Sequence, residues 1–152
     1  MSLAQETEMS AAEIDEFLSG AETGVLSLAR DNEPYSIPIS YGYDADSRVF
    51  YMRLVSTPDS DKGRFLSSEP QARLAIYDEN DPQTQYRSVL ASGPLEEIDP
   101  SEMSVEEIEQ YGEARRPLFE IWGTGKDELD IKLYRLRPDE LTGRRTEVDR
   151  DF

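Results

Sequence analysis

The feature that most constrains this chain is a succession of short β-favouring runs held at turn distance from one another. Residues 24–30 (GVLSLAR), 35–43 (YSIPISYGY) and 48–55 (RVFYMRLV) are rich in β-branched, aromatic and aliphatic side chains. Turn formers separate them: Asp31, Asn32 and Glu33 first, then Asp44 to Ser47. Connections this short suit only antiparallel neighbours, so the three runs predict a meander. Ile37, Ile39 and Tyr41 share one face of the second run. Pro38 removes an amide from its ladder, which places it at a sheet edge or a bulge.

Further runs follow the same rule. Residues 72–77 (ARLAIY) predict a fourth strand, a polar stretch over 78–85 an exposed loop, and residues 86–98 a long strand bent at Gly93 and Pro94. Residues 128–136 (ELDIKLYRL) alternate as a sixth strand with one half-wet face. Two capping boxes start helices. Ser10 with Glu13 precedes Ile14, Phe17 and Leu18 on one face and Gly20 at the end; Ser104 with Glu107 precedes Val105, Ile108 and Tyr111, stopping by Pro117. The expected fold is mainly β: a six-stranded antiparallel barrel, closed or nearly so, with peripheral helices. Residues 10–143 form one domain. Residues 1–9 are expected to be disordered or tag-derived, and 144–152 to be a polar tail that frays unless a partner subunit holds Arg144 or Arg145.

Charge and missing residue types limit the chemistry. Thirty-three Asp and Glu against 16 Lys and Arg give a net charge of −17, which opposes binding to a nucleic-acid backbone. Only Lys62, Lys126 and Lys132 are lysine. An acidic, lysine-poor surface reads as adaptation to concentrated salt, where screening shortens the Debye length to about 3 Å or less. Acidic side chains such as Glu96, Asp99, Glu106 and Glu107 then form a solvated face. With no Cys and no His, the chain has no disulfide framework, thiolate nucleophile, Ser-His-Asp triad or imidazole metal site. No basic and apolar leader and no apolar run of about 20 residues occurs. The expected location is the cytoplasm of a halophile, with no membrane or nucleic-acid partner and no metal.

One stretch, residues 50–66 (FYMRLVSTPDSDKGRFL), could place an anion where a strand stops. Hydroxyl residues, a helix start and the cations Lys62 and Arg64 together suit a phosphate, although an ordinary exposed connection would read the same way. Arg53 is either a ligand donor or a partner for surface carboxylates. Trp122, the only tryptophan, is either core or a stacking surface, and core packing is the commoner use.

Laid end to end, the PIS run, VFYM and SDKGRFL resemble the pyridoxamine 5′-phosphate oxidase-like, flavin-binding split-barrel family over residues 14–143, which with the acidic surface suggests a haloarchaeal member. The resemblance implies a homodimer with FMN at the subunit interface. It implies that Ile39 and Ser40 contact the isoalloxazine, that Tyr51 and Met52 line the ring, and that Ser60 and Lys62 match the family's Ser-x-Lys phosphate contact. Ser56, Thr57 and Arg64 supply further donors, because Asp61 stands where the oxidases place a second cation and this loop is longer. Arg87 and Ser88, opening RSVLASG, fall where the oxidases have Arg-Gln-Val and would reach the flavin from across the dimer. RLRP, residues 135–138, echoes the oxidases' C-terminal signature. The implied activity is FMN-dependent oxidoreduction of a small molecule, with a nicotinamide or small organic donor. Deazaflavin-dependent reduction and a non-catalytic flavin-binding, storage or interaction module are the alternatives.

Overall fold

A computed structural model describes residues 5–56, 65–66, 70–81, 85–102, 104–105 and 130–147 of the chain. Its elements are β1 (Gln5–Glu8), α1 (Ala11–Gly20), β2 (Thr23–Arg30), β3 (Glu33–Ser40), β4 (Gly42–Asp44) and β5 (Val49–Ser56). β6 (Gln71–Asp81), β7 (Gln85–Ile98), β8 (Asp130–Leu136) and β9 (Glu140–Glu147) follow, with a 3-10 turn at Pro100–Glu102.

The capping box closes as its sequence requires. The Ser10 hydroxyl accepts from the Glu13 amide at 3.2 Å, and the Glu13 carboxylate accepts from the Ser10 amide at 3.4 Å. Ile14, Phe17 and Leu18 are buried, which seats α1 on the barrel. β2 and β3 form a hairpin in unbroken register from Thr23↔Ser40 to Arg30↔Glu33. Asp31 and Asn32 turn it at φ 51° and 66°, the left-handed pair that matches strand twist in a two-residue loop.

All strand pairs are antiparallel, in a nine-stranded sheet with the order β3-β2-β6-β7-β8-β5-β4, and β9 and β1 joined to β7 off that path. β7 belongs to both halves. Residues Gln85 to Ser92 pair with β9, whereas Leu95 to Ile98 pair with β8. The change of partner falls at Gly93 and Pro94, as the sequence predicted. A Cβ on Gly93 would run into the carbonyl oxygen of Arg137, and the Asp139 amide donates to the Ser92 carbonyl at 2.7 Å. The bend in β7 is thus fastened to the turn between β8 and β9.

Three strands exceed the six expected. The second run divides, because the Tyr41 amide leaves the ladder to donate to the Glu22 carbonyl at 3.1 Å, and β4 then pairs with β5. Among the described residues β3 pairs with β2 alone and ends the strand order, so Pro38 sits on an edge and the meander is two hairpins. Parts of both terminal stretches are also paired: β1 pairs with β9 from Gln5↔Glu147 to Glu8↔Arg144, within the residues 1–9 expected to be disordered and the residues 144–152 expected to fray. Arg145 is held by Glu13 of α1 at 2.8 Å within the same chain. The polar stretch after Tyr77 is mostly strand, since β6 runs to Asp81 and Arg87 bridges to Asp78 at 2.9 Å. The helix expected after Ser104 lies outside the described residues beyond Val105.

Phe50, Met52, Leu74, Leu95 and Leu136 are fully buried at the centre of the core. Tyr41 and Tyr43 pack on Phe50, with ring centroids 5.5 and 4.8 Å away. The bend yields a direct test. Gly93→Ala should cost about 2 kcal/mol or more in urea unfolding, because backbone must yield to the new methyl group. Gly20→Ala, with nothing within 4 Å of the added carbon, should be neutral or stabilising by up to about 1 kcal/mol.

Candidate functional site

The pleat of β5 sorts its side chains. Phe50, Met52 and Leu54 face the core, and Val49, Tyr51 and Arg53 face out. Tyr51 lies opposite Arg135 of β8, and Arg135 lies opposite Glu96 of β7. The Arg135 guanidinium donates twice to Glu96, from Nε at 3.1 Å and Nη2 at 3.0 Å. Val49, Tyr51 and Ile98, with Leu133 packed against them, make a small apolar cluster on this outer face.

Beside that cluster opens a cleft of about 770 Å³. The β4–β5 turn supplies Asp44, Ser47 and Arg48, and Val49 and Tyr51 continue from it. Arg135, Arg137, Pro138, Asp139 and Leu141, from the end of β8 through the start of β9, line the cleft as well, and Ser104 also borders the space. The size falls within the range of small-molecule sites. Three arginines therefore reach one cleft in a chain of net charge −17.

The rim of the cleft is tied to α1. Tyr43 donates to Asp15 at 2.7 Å, and the Arg48 guanidinium stands 3.4 Å from the other Asp15 oxygen. Burial, and then the bonded Asp15 carboxylate, push the Tyr43 hydroxyl well above the usual phenol range. Tyr41 is raised likewise, first by burial and then by the charge of Glu22, while its hydroxyl donates to the Leu18 carbonyl at 2.9 Å.

The residues expected to bind a flavin are only partly brought together. Ile39 is buried in the core and Ser40 is buried at the end of β3, so Ile39 can meet a ligand through its backbone alone. Tyr51 faces out and lines the cleft, with Arg53 half-buried beyond it on the same face. Met52 is corrected: its side chain is wholly enclosed by the core and has no surface to offer a ring. Arg87 turns inward, with its guanidinium 4.8 Å from the centre of the Phe17 ring and bonded to Asp78, whereas Ser88 is exposed on the opposite face. These two neighbours cannot act together on one ligand. The Ser56 side chain and all of Thr57, Ser60, Lys62, Arg64 and Trp122 lie outside the described residues. Sequence reading did not select Arg48, Arg137 or Asp139. Among the described residues, no group of three or more acidic side chains is arranged for a metal ion, and no helix is long and apolar enough to cross a membrane.

The pyridoxamine 5′-phosphate oxidase family profile matches residues 10–145, from the N-cap of α1 into β9. The chain belongs to that family. A similar solved structure is that of a FAD-binding protein from Mesorhizobium loti: 17% identical, TM-score 0.67, covering 94% of this chain and 98% of its own. Another is the FAD-binding protein of Mycobacterium smegmatis, 20% identical with TM-score 0.62, covering 94% of this chain and all of its own. A heme-binding protein from Mycobacterium smegmatis is also similar, 19% identical with TM-score 0.58, covering 89% of this chain and 54% of its own. At these identities the likeness is one of fold. No curated protein matches by sequence. The family's split-barrel architecture is the fold described above.

The raised tyrosines give a pH dependence of definite sign. A folded-state pKa above the ordinary value of about 10 means that the native state keeps a proton the unfolded chain releases. The stability from Tyr41 is complete below about pH 10 and is lost as pH rises further, by at most about 1.4 kcal/mol per pH unit. Urea unfolding at pH 9, 10 and 11 should show a steeper alkaline loss for the unaltered chain than for Tyr41→Phe.

Proposed function

We propose that the chain binds FMN and acts as a homodimeric flavin-dependent oxidoreductase on a small molecule. Family membership across the whole barrel carries this reading. The fold also leaves room for such a cofactor: β3 is an edge strand, so one side of its backbone faces no strand among the described residues, a setting that suits hydrogen bonds to a planar heterocycle. Tyr51 and Arg53 lie on the outer face of β5, which ends at Ser56 and leads into the hydroxyl-rich stretch with Ser60 and Lys62.

In this reading Ser60 and Lys62 hold the phosphate, with Ser56, Thr57 and Arg64 as added donors, and the edge of β3 near Ile39 orients the ring. When bound, the flavin supplies hydride or electron transfer, chemistry that a chain without His or Cys takes from a cofactor. A nicotinamide or small organic compound is the donor. Purified protein should carry a visible flavin spectrum or take up FMN, and chromatography of the released chromophore separates FMN from FAD and from deazaflavin. Lys62→Ala should weaken FMN binding by about tenfold or more, the effect of losing one charged hydrogen bond. Unchanged affinity would remove the phosphate assignment, and a bound flavin that no donor reduces would favour the non-catalytic alternative.

The dimer reading has its own support in the distribution of charge. Outward-facing side chains of β2 and β3, of β6 up to Tyr77 and of β7 from Ser88 to Pro94 include no carboxylate, in a chain that holds 33. Tyr77 is 72% exposed and Leu90 40% exposed on this face, beside Ala75 and Arg73. Two strongly acidic copies can approach through such a face without setting like charges together. Leu90→Asp should shift the protein from dimer to monomer in sedimentation, and an unaltered chain that sediments as a monomer would count against the assignment.

A further inference from the structure

We propose that Tyr35 and Phe65 are positioning residues for the flavin phosphate: their stacked rings fix the chain next to Lys62 and so make the site prefer a phosphorylated flavin. This role rests on the reading of Ser60 and Lys62 as phosphate contacts.

Tyr35 stands near the start of β3, where the pleat divides the side chains. Pro34, Ser36 and Pro38 are exposed, while Tyr35 and Ile37 pack against the core. Tyr35 lies opposite Leu28 of β2, which lies opposite Ala72 of β6, and both of these are buried. The Phe65 ring stacks on Tyr35, with centroids 5.2 Å apart and planes 21° from parallel. Phe65 and Leu66 are only 2% and 8% exposed, so the chain is anchored in the core at this point.

The anchor falls close after Lys62. From Phe65 back to Lys62 the backbone can span at most about 11 Å, and from Ser56, where β5 ends, forward to Lys62 about twice that. Phe65 is therefore the tighter of the two tethers. A misplacement of about 1 Å is enough to lose most of what an aligned charged contact supplies. The same pair joins this stretch to β3, the strand whose edge orients the flavin ring in the proposed reading, about 13 Å along the strand from Tyr35 to Ile39. Ring and phosphate subsites thus share one aromatic contact. Core packing alone would serve every flavin equally, whereas positioning serves the phosphorylated one.

Fluorescence titration of the full-length chain, freed of bound flavin, with FMN and with riboflavin separates these roles, because riboflavin has the same ring and no phosphate. FMN should bind about tenfold or more tighter than riboflavin, and Lys62→Ala should remove most of that preference. Tyr35→Leu and Phe65→Leu should each cut the FMN-to-riboflavin affinity ratio by about fivefold and leave riboflavin affinity unchanged. Tyr35→Phe, which keeps the ring, should retain the ratio. Tyr35 is half-buried, so its leucine variant decides the matter if Phe65→Leu fails to fold. A preference that Lys62→Ala removes and the leucine variants retain overturns the positioning role and leaves the phosphate reading intact. Equal weakening of FMN and riboflavin assigns the pair to packing alone and also overturns it. An unaltered chain that binds FMN no better than riboflavin removes the phosphate reading itself, and the positioning role with it.

Discussion

One strand, β7, is shared by both halves of the sheet, and its bend at Gly93 is the constraint on which the rest depends. A residue with a side chain would push Arg137 away, and with it the turn that joins β8 to β9. Because that turn is bonded to Ser92 through Asp139, the same close approach sets the position of one cleft wall. Packing in the core and geometry on the outer face are therefore two results of a single missing methyl group.

Electrostatics is arranged around the scarcity of cations. Arg145 ties β9 to Glu13 of α1, Arg87 ties β7 to Asp78 and covers Phe17, and Arg135 ties β8 to Glu96 of β7. The first and third link elements distant in sequence, and the second closes the β6–β7 hairpin. Partly exposed pairs of this kind contribute modestly, up to about 1 kcal/mol each, and less as salt screens them. The apolar core accordingly carries most of the stability, and the ion pairs choose which elements lie together.

Local signals were legible in the sequence and non-local ones were not. The Ser10–Glu13 capping box, the Asp31–Asn32 hairpin and the Gly93 bend each rest on a few neighbouring residues, and each formed where it was expected. β9 was missed because ELTGRRTE is polar and carries Gly143; pairing on both sides makes it a strand, whatever its propensity. Gly143 is needed there because a Cβ would come within 2.8 Å of Ile14. Tyr51 and Met52 could have been separated from sequence, since a period of two puts them on opposite faces. The cleft could not, because two turns roughly ninety residues apart build it and no spacing connects them. The rarity of cations and the RLRP run were the only traces it left.

The pairing of β1 with β9 also dictates a sequence of events during synthesis. β9 lies between β1 and the Gln85–Ser92 edge of β7, so that edge stays bare until residues near Glu147 have been made. An uncovered strand edge is where nascent chains join one another by mistake. The acidity of this chain acts in that interval, because copies that carry a large negative charge repel before their edges can meet. The charge pattern thus protects the unfinished sheet as well as the finished one.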